Sequence, residues 1–169
     1  SDRAIKSWIY GANSNLPKDV VVKWAREVPE HFDARFSASS RRYRYIIYNN
    51  SIRTGHLRSL VSWHYSRLDA NLMHLEAQSL NGEHDFTSFR SSQCNANTAT
   101  RTIKSISVVR KGDLILIDVE ANAFLHHMVR NIVGVLMTVG NGREQSGYIE
   151  RLLEYKDRTK GAETAPPYG

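Results

Sequence analysis

Alternating hydrophobic and polar positions predict several β-strands in this chain. In residues 41–48, a period of two places Tyr43 and Tyr45 on one face and Arg42 and Arg44 on the other. The predicted strands cover residues 19–28, 41–48, 59–65, 102–110 and 114–121. The last two are joined by Lys-Gly-Asp, which is typical of a hairpin.

Apolar positions three and four residues apart predict three helices. Asp69 is the predicted N-cap of the first helix, which ends at Asn81-Gly82. The apolar stripe of that helix consists of Leu72, Leu75, Ala77 and Leu80. The second helix covers 123–140 and the third 146–158. This mixture of strands, helices and a hairpin indicates an α+β fold, in which helices pack on one face of an antiparallel sheet.

Several segments are predicted to be irregular, including the loops at 31–40 and 49–59. Residues 11–17 are rich in turn formers, and residues 83–101 are polar without periodicity. A loop as long as the second of these is usually functional or disordered. Residues 161–169 are expected to form a linker.

The charge balance favours a polyanionic partner. Lys and Arg number 23 against 17 Asp and Glu, which gives a net charge of +6 with neutral histidines. Cys94 is the only cysteine, so an internal disulfide is impossible, which favours a reducing, cytoplasmic location. No apolar run reaches the roughly 18 residues of a membrane span, so no membrane association is expected.

The strand at 41–48 has an unusual composition. An aromatic row on one face and the cations Arg42 and Arg44 on the other suit a sheet that borders a flat, negatively charged molecule. The alternative is an edge strand with solvated arginines and core tyrosines. The strand alone does not separate these interpretations.

Arg130 stands within the most apolar predicted helix. A buried guanidinium is costly unless it is paired, so the residue predicts a carboxylate partner. His126 is expected one turn earlier on the same helical face. The alternatives are a structural salt bridge to Asp118 or Glu120, or a face open to solvent. The neighbouring His126 and His127 point about 100° apart on a helix, so they are not expected to bind one metal ion.

Four ordered segments resemble one known family. Residues 34–49, 82–90, 121–134 and 156–169 are similar to the tRNA pseudouridine synthases that modify uridines 38, 39 and 40. The resemblance implies an isomerase that detaches uracil from ribose, rotates it and rejoins it through carbon, without a metal or organic cofactor. It also implies base flipping, a homodimer that grips the tRNA anticodon stem-loop, and a fold of two ferredoxin-like α+β halves.

The resemblance carries roles to individual residues. Tyr43 matches the active-site tyrosine that stacks on the target uracil. Arg130 matches the basic residue that pairs with the catalytic carboxylate, and Arg35 matches an arginine that displaces the target base from the stem. The other expected RNA contacts are Phe32, Asp33, Ala34, Phe36, Arg42, His64, Arg90, Gln93, Cys94, Asn95, Ala96, Asn97, His126 and His127.

One motif of the family has no match in this sequence. The nucleophilic Asp of the family stands in Gly-Arg-Thr-Asp-Ala-Gly, and none of the eight aspartates here does. Residues 1–169 are therefore expected to be the C-terminal half of a catalytic unit, ending before the family's last strand and inactive alone. The alternatives are a non-catalytic RNA-binding module and, as the weakest, a hydrolase that uses Asp85 with His84.

Overall fold

Two compact units make up the computed structural model, which describes residues 4–169. The first unit ends at Ala38, and its described part contains one helix, α1 (Ile5–Asn15), which buries none of its side chains. The prediction of an irregular segment at 11–17 is therefore wrong up to Asn15, where α1 ends. The strand predicted at 19–28 is also wrong: this segment is irregular, and its valines at 20 and 21 are exposed. β-Branched residues favour a strand only where a neighbouring strand and a packed face receive them.

The second unit, from Ser39 to Gly169, is built on a five-stranded sheet. Its strands are β1 (Arg41–Asn49), β2 (Ser62–His64), β3 (Gly82–Asp85), β4 (Thr100–Lys111) and β5 (Leu114–Ala121). Their order is β2-β1-β5-β4-β3, and neighbours run antiparallel except for the parallel pair β1 and β2. The α+β class is thus confirmed, with one parallel exception, because the chain between β1 and β2 returns to the end from which β1 starts.

Three helices complete the second unit: α2 (Ala70–Ala77), α3 (Met128–Gly140) and α4 (Tyr148–Tyr155). Their buried side chains form one core with alternate residues of the sheet, such as Tyr45 and Ile47 of β1. Arg42 and Arg44 point to the other face, as the period of two predicts. No helix among residues 4–169 is long and apolar enough to cross a membrane.

The first predicted helix begins where the sequence predicts, but the face predicted to be buried is only partly correct. Asp69 caps α2, because its carboxylate accepts hydrogen bonds from the backbone N–H groups of Asn71 and Leu72. Leu75, however, is 68% exposed, while the carboxylate of Glu76 is buried. The burial of Glu76 is stabilised by hydrogen bonds that it accepts from Ser146 Oγ at 2.5 Å and Gly147 N at 2.9 Å.

Some segments predicted to be irregular contain regular structure or packed residues, and the second and third predicted helices are shorter than predicted. The region 83–101 contains most of β3 and a 3-10 turn, Thr87–Phe89, beside which Phe86 is fully buried. The second helix begins at Met128 and not at 123, because His127 has a left-handed backbone with φ of 60°. The third predicted helix is confirmed over its central eight residues. Residues 161–169 are not a linker, since Ala165 is buried and its N–H donates to Arg130 O at 3.1 Å.

Candidate active-site pocket

A pocket of about 310 Å³ lies where the start of β1 meets the start of α3. We call it the Tyr43 pocket; its lining includes Tyr43, Tyr45, Phe124, His127, Arg130 and Pro167. The two residues that the resemblance assigns to catalysis, Tyr43 and Arg130, are therefore brought together by the fold. A volume of this size is in the range of pockets that bind small organic groups.

Tyr43 presents an aromatic ring at the pocket. The side chain is 52% exposed, although it shares its strand face with the buried Tyr45. The ring of Phe124 meets it edge to face, with centroids 5.2 Å apart and planes at 78°. The sequence indicated no role for Phe124, because the residue fell within the predicted helix and not in the turn that precedes α3.

Arg130 points its guanidinium toward the pocket from the first turn of α3. Its Nε donates to Ala165 O at 2.7 Å. Neither Asp118 nor Glu120 pairs with it, which excludes the alternative of a structural salt bridge to either residue. Within residues 4–169 no carboxylate lies in ion-pair distance of Arg130, and its two terminal nitrogens donate to no described residue.

Asp118 is instead held by two arginines on the opposite face of the sheet. Arg44 donates from Nε and Nη2 to the two carboxylate oxygens of Asp118 at 3.0 and 2.9 Å, and Arg42 lies 3.6 Å away. The hydrogen bonds from Arg44, together with the positive charge of both arginines, lower the pKa of the Asp118 carboxyl. Arg42 remains 65% exposed at its side chain and is accessible to an anion.

His126 and His127 do not lie on the helix as predicted. Both precede α3, and their rings stack with centroids 3.9 Å apart. His127 lines the Tyr43 pocket. Burial lowers the pKa of the His127 imidazole, and the nearby His126 and Arg130 lower it further, so the neutral ring is favoured.

Residues 93–97 form a loop that is held by hydrogen bonds and lies next to His126. Arg90 holds it by donating from Nη2 to Cys94 O at 2.5 Å and to Ala96 O at 3.0 Å. The buried Cys94 thiol accepts from His126 N at 3.4 Å, a contact that lowers the pKa of the thiol. The side chains that this loop exposes are those of Gln93, Asn95 and Asn97.

His64 lies in another cavity. It lines a space of about 480 Å³ together with Arg143 and Ala165, and its Nε2 is 2.9 Å from Ser66 Oγ. Burial, and secondly Arg143, lower the pKa of its imidazole. The structure does not bring His64 into the lining of the Tyr43 pocket.

The predicted contacts at 32–36 belong to the first unit. The Asp33 carboxylate accepts from the backbone N–H groups of Arg35 at 2.7 Å and Phe36 at 2.8 Å, which makes a tight turn. The Arg35 guanidinium lies 5.3 Å from the centroid of the exposed Phe36 ring. Phe32 and Ala34 are exposed on the same segment.

Comparison with known proteins gives one consistent result. A family profile described as tRNA pseudouridine synthase matches residues 77–169. The tRNA pseudouridine synthase A of Legionella pneumophila strain Lens is 58% identical over 168 residues, which are 99% of this chain and 64% of that protein. The proteins of the same name from Pseudoalteromonas atlantica and Pseudomonas aeruginosa are 54% and 51% identical, over 100% and 99% of this chain. The chain spans 64% and 59% of their lengths.

Proposed function

The chain belongs to the tRNA pseudouridine synthase family, and from this premise we propose that it forms the uracil-receiving part of an enzyme that isomerises uridines 38, 39 and 40 of the tRNA anticodon stem-loop to pseudouridine. The observation that carries the proposal is the meeting of Tyr43 and Arg130 in one pocket. The reaction breaks the bond between N1 and C1′ and forms a bond between C5 and C1′. The C5 proton is released and N1 gains one, so neither oxidant nor reductant takes part.

Tyr43 receives the flipped uracil. Its ring is half exposed, and Phe124 packs against it in a T-shaped arrangement. An aromatic face that remains accessible is the surface on which proteins stack an unpaired base. Arg35 displaces the base from its stem, by resemblance to the family, and Arg42 offers an exposed cation to the phosphates.

Arg130 holds the catalytic carboxylate in its ionised form. A guanidinium beside a carboxyl favours the charged state, and two terminal nitrogens are available for a forked pair. None of the seven aspartates among the described residues lines the Tyr43 pocket, and Asp2 lies outside those residues. We therefore place the nucleophile on a part of the enzyme other than residues 4–169.

The complete enzyme is proposed to act as a cytoplasmic homodimer on tRNA, a proposal supported by family resemblance and by the net charge of +6. A second candidate applies to this chain alone, which on its own would be an RNA-binding module without activity. It is favoured by the absence of an acidic side chain, among the described residues, from the lining of the Tyr43 pocket.

The proposed role of Arg130 is tested by substitution in the complete enzyme. Arg130→Met is expected to lower turnover at least about a hundredfold, because the carboxylate loses its charge partner. Arg130→Lys should retain part of the activity, since a point cation remains although the planar fork is lost. Turnover is measured as tritium released from tRNA that carries the label at uracil C5.

The control for lost positive charge is Arg151→Met on α4, which should keep normal turnover. Binding of tRNA should change by less than about twofold in all three variants. If Arg130→Met weakens tRNA binding as much as it lowers turnover, Arg130 is a phosphate contact and the assignment is wrong. A soluble, folded Arg130→Met enzyme with normal turnover would also contradict it.

A further inference from the structure

The segment after α4 holds two side chains of the Tyr43 pocket through its backbone. Arg130 Nε donates to Ala165 O at 2.7 Å, and Ala165 N donates back to Arg130 O at 3.1 Å. The next carbonyl, of Pro166, accepts from the hydroxyl of Tyr45 at 2.6 Å. Two consecutive carbonyls thus fix the positions of Arg130 and Tyr45.

A partly buried polar cluster fixes Thr164, the residue immediately before those carbonyls. Thr164 Oγ1 donates to Asn131 Oδ1 at 2.7 Å, and Arg158 Nη2 lies 3.1 Å from the threonine oxygen and 3.2 Å from the asparagine oxygen. Asn131 is 2% exposed, and its Nδ2 donates to Phe89 O at 2.7 Å. We call Thr164, Asn131 and Arg158 the Thr164 cluster.

The Thr164 cluster leaves little freedom at Ala165. Asn131 follows Arg130 on α3, so the cluster and the reciprocal backbone bonds connect the same two segments at adjacent positions. Satisfied polar groups in a partly buried site favour one arrangement, because a shift would leave the donors and acceptors of the buried Asn131 unpaired. The Ala165 carbonyl is therefore held at a defined place beside α3.

The direction of the Arg130 guanidinium follows from that place. Because Nε is engaged by Ala165 O, only the two terminal nitrogens can reach a carboxylate. A guanidinium that is already oriented loses less conformational entropy when it pairs with a carboxylate. A displacement of about 1 Å at such a group is enough to cost about a hundredfold in rate.

We propose that Thr164, through its hydrogen bonds to Asn131 and Arg158, is a positioning residue for the reaction, acting on the carboxylate through the Ala165 carbonyl and the Arg130 guanidinium. The inference rests on the proposed function, since it requires Arg130 to hold the catalytic carboxylate. Thr164 itself touches neither the base nor the reacting atoms.

The test compares Thr164→Val and Thr164→Ser in the complete enzyme. Valine has the shape of threonine without the hydroxyl, and it is expected to lower kcat about tenfold while KM for tRNA changes by less than about twofold. Serine keeps the hydroxyl and should restore kcat to within about twofold of the original. Thr138→Val is the matched control, because among the described residues the Thr138 hydroxyl donates only to Gly134 O, within α3 itself.

A double-mutant cycle separates positioning from general stability. In the Arg130→Lys background, Thr164→Val should cost less than about twofold in kcat, because lysine has no Nε fork for Ala165 to orient. An equal loss in both backgrounds, a rise in KM alone, or a normal kcat for Thr164→Val would each overturn the inference. If Arg130→Met and Arg130→Lys both keep normal activity, the proposed function itself fails, which is a different result.

Discussion

At the scale of single residues, the clearest electrostatic feature is the pair of Arg44 and Asp118. Arg44 donates hydrogen bonds to both carboxylate oxygens of Asp118 and lowers the pKa of that carboxyl group. The folded state therefore binds a proton at Asp118 less readily than the unfolded state does. The stability that the pair contributes is complete above the unfolded pKa of about 3.9 and is lost as the pH falls through the lower, folded pKa.

Arg44→Met should therefore destabilise the protein only when Asp118 is ionised. Near pH 7 the thermal midpoint is expected to fall by about one or two degrees, because a solvent-screened pair is weak. Thermal melts from pH 7 down to pH 2.5 should show the difference shrinking as Asp118 becomes protonated. Arg53→Met, which removes an exposed charge with no ion pair in the described chain, is the control. A difference that stays constant to pH 2.5 would contradict the assignment.

The sequence predicted some of these residues and missed others for a physical reason. The family motifs point to Tyr43 and Arg130, and the fold brings both to one pocket, while their roles stay predictions. The Asp69 cap is confirmed, because capping is a local interaction. Phe124, Glu76 and Ala165 were missed. Their roles depend on contacts between segments far apart in the chain, which no local pattern records.

At the scale of elements, the strands with a regular period were the most predictable. β1, β4 and β5 form within one or two residues of the predicted bounds, because alternation of buried and exposed side chains extends over their whole length. The segment 19–28 failed although its composition favours a strand, since composition does not supply a pairing partner. α3 began five residues late because His127 turns the backbone away from the helix.

The packing of α3 against residues 161–169 depends on Gly134. A Cβ added at this position would overlap with the carbonyl oxygen of Glu163. This oxygen belongs to the backbone, which cannot move aside as a flexible side chain can. Gly134→Ala is expected to lower the free energy of unfolding by about 2 kcal/mol, because overpacking outweighs the higher helix propensity of alanine. Urea unfolding followed by circular dichroism measures the change.

Gly140→Ala in the same helix is the matched control for Gly134→Ala. There the added Cβ would meet Cγ and Sδ of Met73 at 2.7 Å, atoms of a side chain with several rotamers. Its cost should be clearly smaller than that of Gly134→Ala. Equal costs at the two sites would mean that contact with the 161–169 segment does not determine the requirement for glycine.

At the scale of the whole molecule, the proposed function requires an acidic side chain that the described residues do not supply to the Tyr43 pocket. Tyr43 and Arg130 both line that pocket, and no Asp or Glu of the described residues does. Asp118 lines a separate surface depression with Arg42, Tyr43 and Arg44 and is already paired with both arginines. Asp118 lies with these arginines on the opposite face of the sheet and does not line the Tyr43 pocket, so it is not placed to act on a nucleotide held there.

The 169-residue chain alone is therefore expected to release no tritium from tRNA labelled at uracil C5 above a control without protein. The complete enzyme under the same conditions supplies the positive control, and retention of labelled tRNA on the chain in low salt shows that a silent result is not a failure to bind. Release by the chain would mean that one of its own aspartates acts as the nucleophile. Asp118→Asn would then identify it: loss of release in that variant assigns the reaction to Asp118, and unchanged release assigns it to another of the eight. Either outcome would place the chemistry inside this chain and overturn the division of labour proposed above, in which these residues receive the base and orient a carboxylate that they do not supply.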